Sequence, residues 1–228
     1  MAKRITYELY YWAEIQGRGE FVRLALEDAG ADYVDVAREP GGAKKLTKLL
    51  RDGSSSSPAL PFAPPFLLAG KLWIAQTAAI LHYLGPRLDL VPSNDAGRYA
   101  ALQHQLTLAD LVMEAHDTHH PIGVGMYYED QRPESKRRSQ QFLEERVPKF
   151  LGHFERQLAR GGARQGWLVG RSCSYADLSL FQVVQGLRYA FPHAMAALTR
   201  KIPRVSALHD RVAARPNIAA YLRSPRRI

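Results

Sequence analysis

The 228-residue chain predicts an α/β segment followed by an all-helical one. Two observations carry this expectation. Strand and helix signals alternate up to Leu84, and helical periodicity alone follows from Asp95. Between them, residues 85–97 are rich in Gly, Pro, Asn and Asp, the composition of a domain boundary. The expected domains are residues 1–86 and 92–228.

The elements follow in order. Residues 6–12 are β-branched and aromatic, which predicts a strand. Residues 20–29 set Phe21, Leu24 and Ala25 near one helical face, and Gly30 sits where a left-handed cap belongs. Residues 33–36 read as a second strand, so the run is a parallel βαβ unit. Residues 43–50 predict a short helix. Gly53 and the four serines after it predict a surface loop. Residues 66–68 and 72–74 are two strands about the Ala69-Gly70 turn. Residues 77–84 form a helix closed by Gly85-Pro86. The order is βαβαββα. Helices are then expected over 95–119, 135–160, 174–191 and 203–215, with Pro216 restarting a last one through Leu222.

Composition narrows the function classes. No apolar run approaches the ~18 residues that span a bilayer. The first six residues lack the apolar stretch of a signal peptide. Cys173 is the only cysteine, so no intrachain disulfide can form, which agrees with a reducing, cytoplasmic setting. A net charge of +9 raises the question of nucleic acid. The basic residues are spread along the chain, however, and read as solvated helix faces. Neither a nucleic-acid nor a membrane partner is expected, and a mildly positive field suits a small anionic substrate. His116, His119 and His120 lack supporting carboxylate spacing in a second helix, so no metal is expected.

Four spaced features carry a more specific reading. The first is Tyr11-Trp12-Ala13-Glu14-Ile15-Gln16-Gly17-Arg18-Gly19, at the close of the first strand. The second is Ala63-Pro64-Pro65-Phe66-Leu67. The third is Gln76-Thr77, its threonine twelve residues after Pro65. The fourth is Ser174-Tyr175-Ala176-Asp177, a capping-box pattern ahead of an apolar run. Together they resemble the cytosolic glutathione transferases of the tyrosine-type classes (sigma, mu, pi and alpha), here in a bacterial version. The resemblance covers essentially the whole chain.

That resemblance implies a thioredoxin-like first domain that binds glutathione and an all-helical second domain contributing the electrophile pocket. It also implies a homodimer and a detoxifying conjugation reaction, with glutathione as co-substrate. Isomerase or peroxidase chemistry at the same site, or a noncatalytic binding protein, are the alternatives. Tyr11 matches the tyrosine that stabilises the thiolate. The loop to Gly17 is one residue longer than the family's, so Tyr10 stays open; neighbouring strand residues face opposite ways, and only one can serve. A free thiol has a pKa near ~8.5, and a phenol O–H donated to sulfur lowers it. Pro65 matches the family's cis-proline. Pro64 replaces an aliphatic residue whose N–H pairs with glutathione, so weaker binding is expected. Gln76 and Thr77 match the pair that receives the γ-glutamyl carboxylate at a helix N-terminus. Of Asp110, Glu114 and Asp117 in the first helix of the second domain, Asp110 is taken to match an acidic residue directed at the partner subunit's glutathione, with a solvated face as the competing reading. Arg18 is placed near glutathione. Trp12 is placed on the apolar wall with Ile15, Met113, Tyr127 and Tyr128. Lys44, Lys45 and Lys48 are equal candidates for the glycyl carboxylate. Ser174 and Asp177 are read as a structural cap, and Cys173 as packing.

Overall fold

The computed structural model describes residues 6–53, 61–161 and 166–228. The expected serine loop lies mostly outside them. Two compact units result: Met1–Arg98 with Val212–Ile228, and Tyr99–Arg211. The sequence places one boundary at residues 85–97; the two units divide between Arg98 and Tyr99. Packing also returns the last seventeen residues to the first unit, a long-range association that local composition does not encode.

The first unit is built on a four-stranded sheet of β1 (Tyr7–Tyr10), β2 (Tyr33–Asp35), β3 (Phe66–Ala69) and β4 (Leu72–Ala75), in the order β2-β1-β3-β4. β1 and β2 are parallel; β3 runs antiparallel to both β1 and β4. Its helices are α1 (Gly19–Asp28), α2 (Gly42–Asp52) and α3 (Thr77–Leu84). This is the βαβαββα order that the alternation predicts, in the thioredoxin-like form that the resemblance implies. Period-two alternation divides the core. Leu9 joins Val22, Leu26, Leu67, Ile80 and Leu84 under α1 and α3. Tyr10 turns the other way, onto Val36, Leu46 and Phe66 beside α2. Gly30 takes φ +60°; its N–H bonds the Glu27 carbonyl, and the Ala31 N–H bonds that of Leu26. This Schellman closure ends α1 where the sequence places a glycine cap. Gly70, at φ +66°, makes the β3–β4 turn. The returning segment carries the short helix α10 (Pro216–Arg223). Arg215 grips the Asp28 carboxylate through two bonds of 2.5 and 2.8 Å, and the Asn217 amide caps the Asp28 carbonyl.

Among the described residues, the regular elements of the second unit are all helices. α4 (Asp95–Asp117) leads into it, followed by α5 (Arg132–Gln141), α6 (Val147–Arg160), α7 (Tyr175–Ala190), α8 (Pro192–Thr199) and α9 (Pro203–Ala213). α7 is its centre: every residue from Tyr175 to Val184 is buried, as expected of a helix packed on all sides. Two expectations need correction. The helix expected over 135–160 is two helices joined by a π-turn at Phe142–Arg146. Pro148 has no N–H for the Glu144 carbonyl, and its ring would collide with it, so the chain widens the turn just before the proline. The second correction is α8, which the periodicity did not suggest. Pro192 breaks the pattern after Phe191, yet a proline is well suited to a first helical turn and starts a new helix there.

Candidate active site

The sheet register sets one end of the first unit's site. Tyr10, Phe66 and Ala75 lie side by side in the last row of the ladder. One step beyond, on the same edge, come Tyr11, Pro65 and Gln76. Three of the four spaced sequence features therefore meet where three adjacent strands end. The Pro64–Pro65 bond is cis. Gln76 precedes α3 at φ 69°, ψ 121°, a conformation that non-glycine residues rarely hold and that costs about 1–3 kcal/mol. Among the described residues no side chain caps α3, so its first amides point toward Gln76 and Thr77 without a side-chain acceptor there.

Tyr10 and Tyr11 have opposite environments. The Tyr10 hydroxyl donates to Glu8 Oε2 at 2.6 Å, and its ring tilts against Trp73 at 5.3 Å between centroids. Burial, and then the Glu8 carboxylate, push its pKa well above the ordinary phenol value. Its proton is committed to Glu8. The Tyr11 hydroxyl oxygen instead accepts the Arg18 N–H at 2.9 Å. An oxygen that accepts from an amide keeps its own proton to give elsewhere. The Arg18 carbonyl lies 3.5 Å from the Thr77 hydroxyl that donates to it. One residue's main chain thus bridges Tyr11 and the start of α3.

Two glycines make this approach feasible. A Cβ on Gly17, itself at φ +42°, would fall 2.1 Å from the Tyr11 hydroxyl oxygen, and one on Gly19 would fall 2.5 Å from the ring. Any other residue would push the loop off the phenol.

Beneath the loop lies a charged group that sequence reasoning missed. Arg23 and Glu20 are both fully buried in α1. Arg23 Nε donates to Asp35 at 2.6 Å, and its Nη1 lies 3.3 Å from Glu20. The same nitrogen is 3.5 and 3.4 Å from the carbonyls of Ile15 and Gln16, and the guanidinium sits 5.7 Å from the Tyr11 ring centre. The available signal was a Glu and an Arg three apart among Phe21, Val22, Leu24, Ala25 and Leu26, a spacing that invites a buried pair.

The remaining candidates are placed as follows. Trp12 and Ile15 are exposed beyond Tyr11. Lys44 and Lys48 line a shallow cavity of about 340 Å³ with Ala43, Thr47 and Arg51, and Lys45 does not. In the second unit Asp110, Met113, Tyr127 and Tyr128 are exposed. Glu114, one turn beyond Asp110, is held by Arg146 at 2.6 Å and Arg138 at 3.4 Å. Asp177 is fully buried and accepts from the Leu168 N–H, the Ser174 N–H and the Ser174 hydroxyl at 2.8, 2.8 and 2.6 Å, which makes the expected capping box. Cys173 is buried beside it. Among the described residues no three His, Cys, Asp or Glu side chains converge as a metal site, and no helix is long and apolar enough to cross a membrane.

Residues 116–225 match the family model of the glutathione S-transferase C-terminal domain. Along the chain, glutathione S-transferase P 1 of Xenopus laevis is 27% identical, covering 97% of this chain and 93% of that protein. Glutathione S-transferase 2 of Onchocerca volvulus is 26% identical, over 95% and 92%. Among solved structures, a pi-class glutathione S-transferase of Onchocerca volvulus superimposes with a TM-score of 0.73 at 23% identity, covering 95% of this chain and 91% of that one. Prostaglandin synthase D of Nilaparvata lugens superimposes at 0.74 with 20% identity, covering 96% and 98%. Residues 116–225 thus carry a glutathione S-transferase C-terminal domain, and the fold of the chain is that of the glutathione S-transferase structures it superimposes on.

Proposed function

We propose that the chain is a glutathione transferase in which the Tyr11 hydroxyl stabilises the glutathione thiolate for attack on an apolar electrophile. The observation that carries this reading is the Arg18 main chain, bonded at its N–H to Tyr11 and at its carbonyl to Thr77. It ties a phenol with a free proton to an uncapped helix start. The γ-glutamyl carboxylate is assigned to the α3 amides and Thr77, where the helix dipole favours an anion. Gln76 and Arg18 flank it. Pro64 and Pro65 present main chain to the cysteinyl part.

The chemistry then needs little else. The thiol proton leaves to solvent, and the Tyr11 O–H donates to the sulfur anion. The sulfur lone pair forms the C–S bond, and the leaving group departs with the electrons of its own bond. The Arg18 N–H fixes which way the phenol proton points and draws charge from its oxygen. Trp12 and Ile15 offer apolar contact to the electrophile. Asp110 is assigned to glutathione of the partner subunit in a homodimer.

Tyr11→Phe, which removes one hydrogen bond to an anion, is expected to lose about tenfold to a hundredfold in kcat/KM and to shrink the ultraviolet band of enzyme-bound thiolate. Tyr10→Phe should keep both. A full thiolate band in a folded Tyr11→Phe protein would refute the assignment.

A further inference from the structure

We propose that Arg227 is a positioning residue for the Tyr11 site, acting through Glu20 and Arg23. The inference rests on the reading of Tyr11 given above and names what holds that residue's loop. Glu20 is fully buried at the start of α1 and carries three partners. Arg227 donates to its Oε1 at 2.6 Å, the Tyr221 hydroxyl donates to Oε2 at 3.2 Å, and Arg23 lies 3.3 Å from Oε2. The Arg227 side chain is itself only 8% exposed, so the pair is shielded from solvent. Asp35 faces the group from β2, with Arg38 3.2 Å from it.

The geometry gives a continuous path. Arg227 neutralises Glu20. A neutralised Glu20 leaves the Arg23 Nη1 shared among Glu20, the Ile15 carbonyl and the Gln16 carbonyl. Those carbonyls precede Gly17 and Arg18, whose N–H sets the Tyr11 hydroxyl. Gln16 also bonds the Ile228 carbonyl directly. If the Arg227 charge is removed, Glu20 becomes a buried carboxylate short of one cation. Its attraction for Arg23 strengthens in the low-dielectric interior. Arg23 then moves off the loop carbonyls, and the Arg18 N–H loses its fixed aim at Tyr11.

Arg226 is the internal control. It belongs to the same segment but pairs with Glu27, at 2.6 and 2.9 Å, with a 58% exposed side chain and no bond to Glu20 or Arg23. A generally loosened segment would make the two arginines equivalent; a path through Glu20 would not.

Three variants, Arg227→Gln, Arg227→Lys and Arg226→Gln, are compared by two readouts. One is hydrogen exchange at the Arg18 amide, which needs no activity. The other is the pH dependence of kcat/KM with glutathione and a chromogenic aryl halide. Arg227→Gln is expected to speed Arg18 exchange at least about tenfold, to lower kcat/KM about tenfold, and to move the pH profile upward. Arg227→Lys should restore most of each, and Arg226→Gln should change neither. Wild-type exchange and an unmoved profile in folded Arg227→Gln overturn the proposal, as does an equal effect of Arg226→Gln. Accelerated exchange with an unmoved profile instead overturns the catalytic role of Tyr11 on which the inference rests.

Discussion

Glu20 and Asp177 are both buried carboxylates near the start of a helix, one in each unit, yet they are compensated differently. Glu20 is surrounded by the cations Arg23 and Arg227 and by a tyrosine hydroxyl. Asp177 receives two backbone N–H groups and one serine hydroxyl, all neutral. Neutral donors satisfy the lone pairs and fix a single helix cap, and their influence stops there. Cations exert force over a longer range, so the Glu20 group couples a distant segment to a loop. The charge network lies where the chemistry is proposed, and the neutral cap lies where only a core helix needs an end.

The largest effect that can break this contrast is on stability. Asp177→Ala leaves the Leu168 and Ser174 amides and the Ser174 hydroxyl buried without an acceptor, and removes a helix cap. The expected loss is about 3–4 kcal/mol, read by urea unfolding, with little change in glutathione affinity for whatever fraction stays folded. A loss below about 1 kcal/mol would mean that water replaces the carboxylate and that the cap is not what orders α7.

The pH dependence sharpens the same comparison. Burial pushes the Asp177 carboxyl up to about 6, against the pull of the hydrogen bonds it accepts. Between the unfolded value near 3.8 and about 6, the folded chain binds more protons than the unfolded one. Asp177 therefore contributes less stability as pH rises through that window. His104 has the opposite sign. It is buried beside Phe154 and His153, and burial first, then His153, lowers its pKa to about 4. Between about 4 and the unfolded value of 6.5 the unfolded chain binds more protons, so stability is lost as pH falls. His209, also lowered by burial, adds to the same slope. The two contributions, each at most about 3 kcal/mol, offset one another between pH 4 and 6. His104→Gln should therefore make the folded chain less sensitive to acid, with the change in slope confined to the interval below pH 6.5. An unaltered slope would place the acid sensitivity elsewhere.

Short-range features of the molecule were legible in the sequence. The βαβαββα order, the Gly30 cap, the helix from Thr77 to Leu84 and the Ser174–Asp177 box each depend on residues within a few positions of one another. Long-range features were not. Glu20 and Arg227 are 207 positions apart, and no periodicity links them. The split of the helix at Phe142–Arg146 depended on Pro148, which is visible, but the sequence does not say whether a proline ends a helix or widens a turn. Tyr10 and Tyr11 looked alike because their difference lies in what each oxygen meets: Glu8 on one side, the Arg18 amide on the other. The acidic side chains of α4 show the same limit. Their spacing gave no means of separating Glu114, engaged by two arginines, from the exposed Asp110.

The smallest predicted effect tests the main chain of the site. Pro64 immediately precedes Pro65, which lies one step past the end of the ladder beside Tyr11. In the proposed reading residue 64 faces the cysteinyl part of glutathione, and a proline there offers only a carbonyl, with no N–H. Pro64→Val restores a donor without adding charge. One neutral hydrogen bond to a ligand is worth about 1 kcal/mol, or roughly fivefold in Kd. The variant should bind glutathione about that much more tightly in calorimetry, and the glutathione-dependent rise in Tm should grow with it. The thiolate band per bound glutathione should not change if, as proposed, the sulfur meets Tyr11 rather than residue 64. A tighter Kd with an unchanged band would separate binding by the main chain from ionisation by the phenol. An unchanged Kd would mean that the γ-glutamyl end at α3 carries the affinity, and that the missing N–H is of no consequence to this chain.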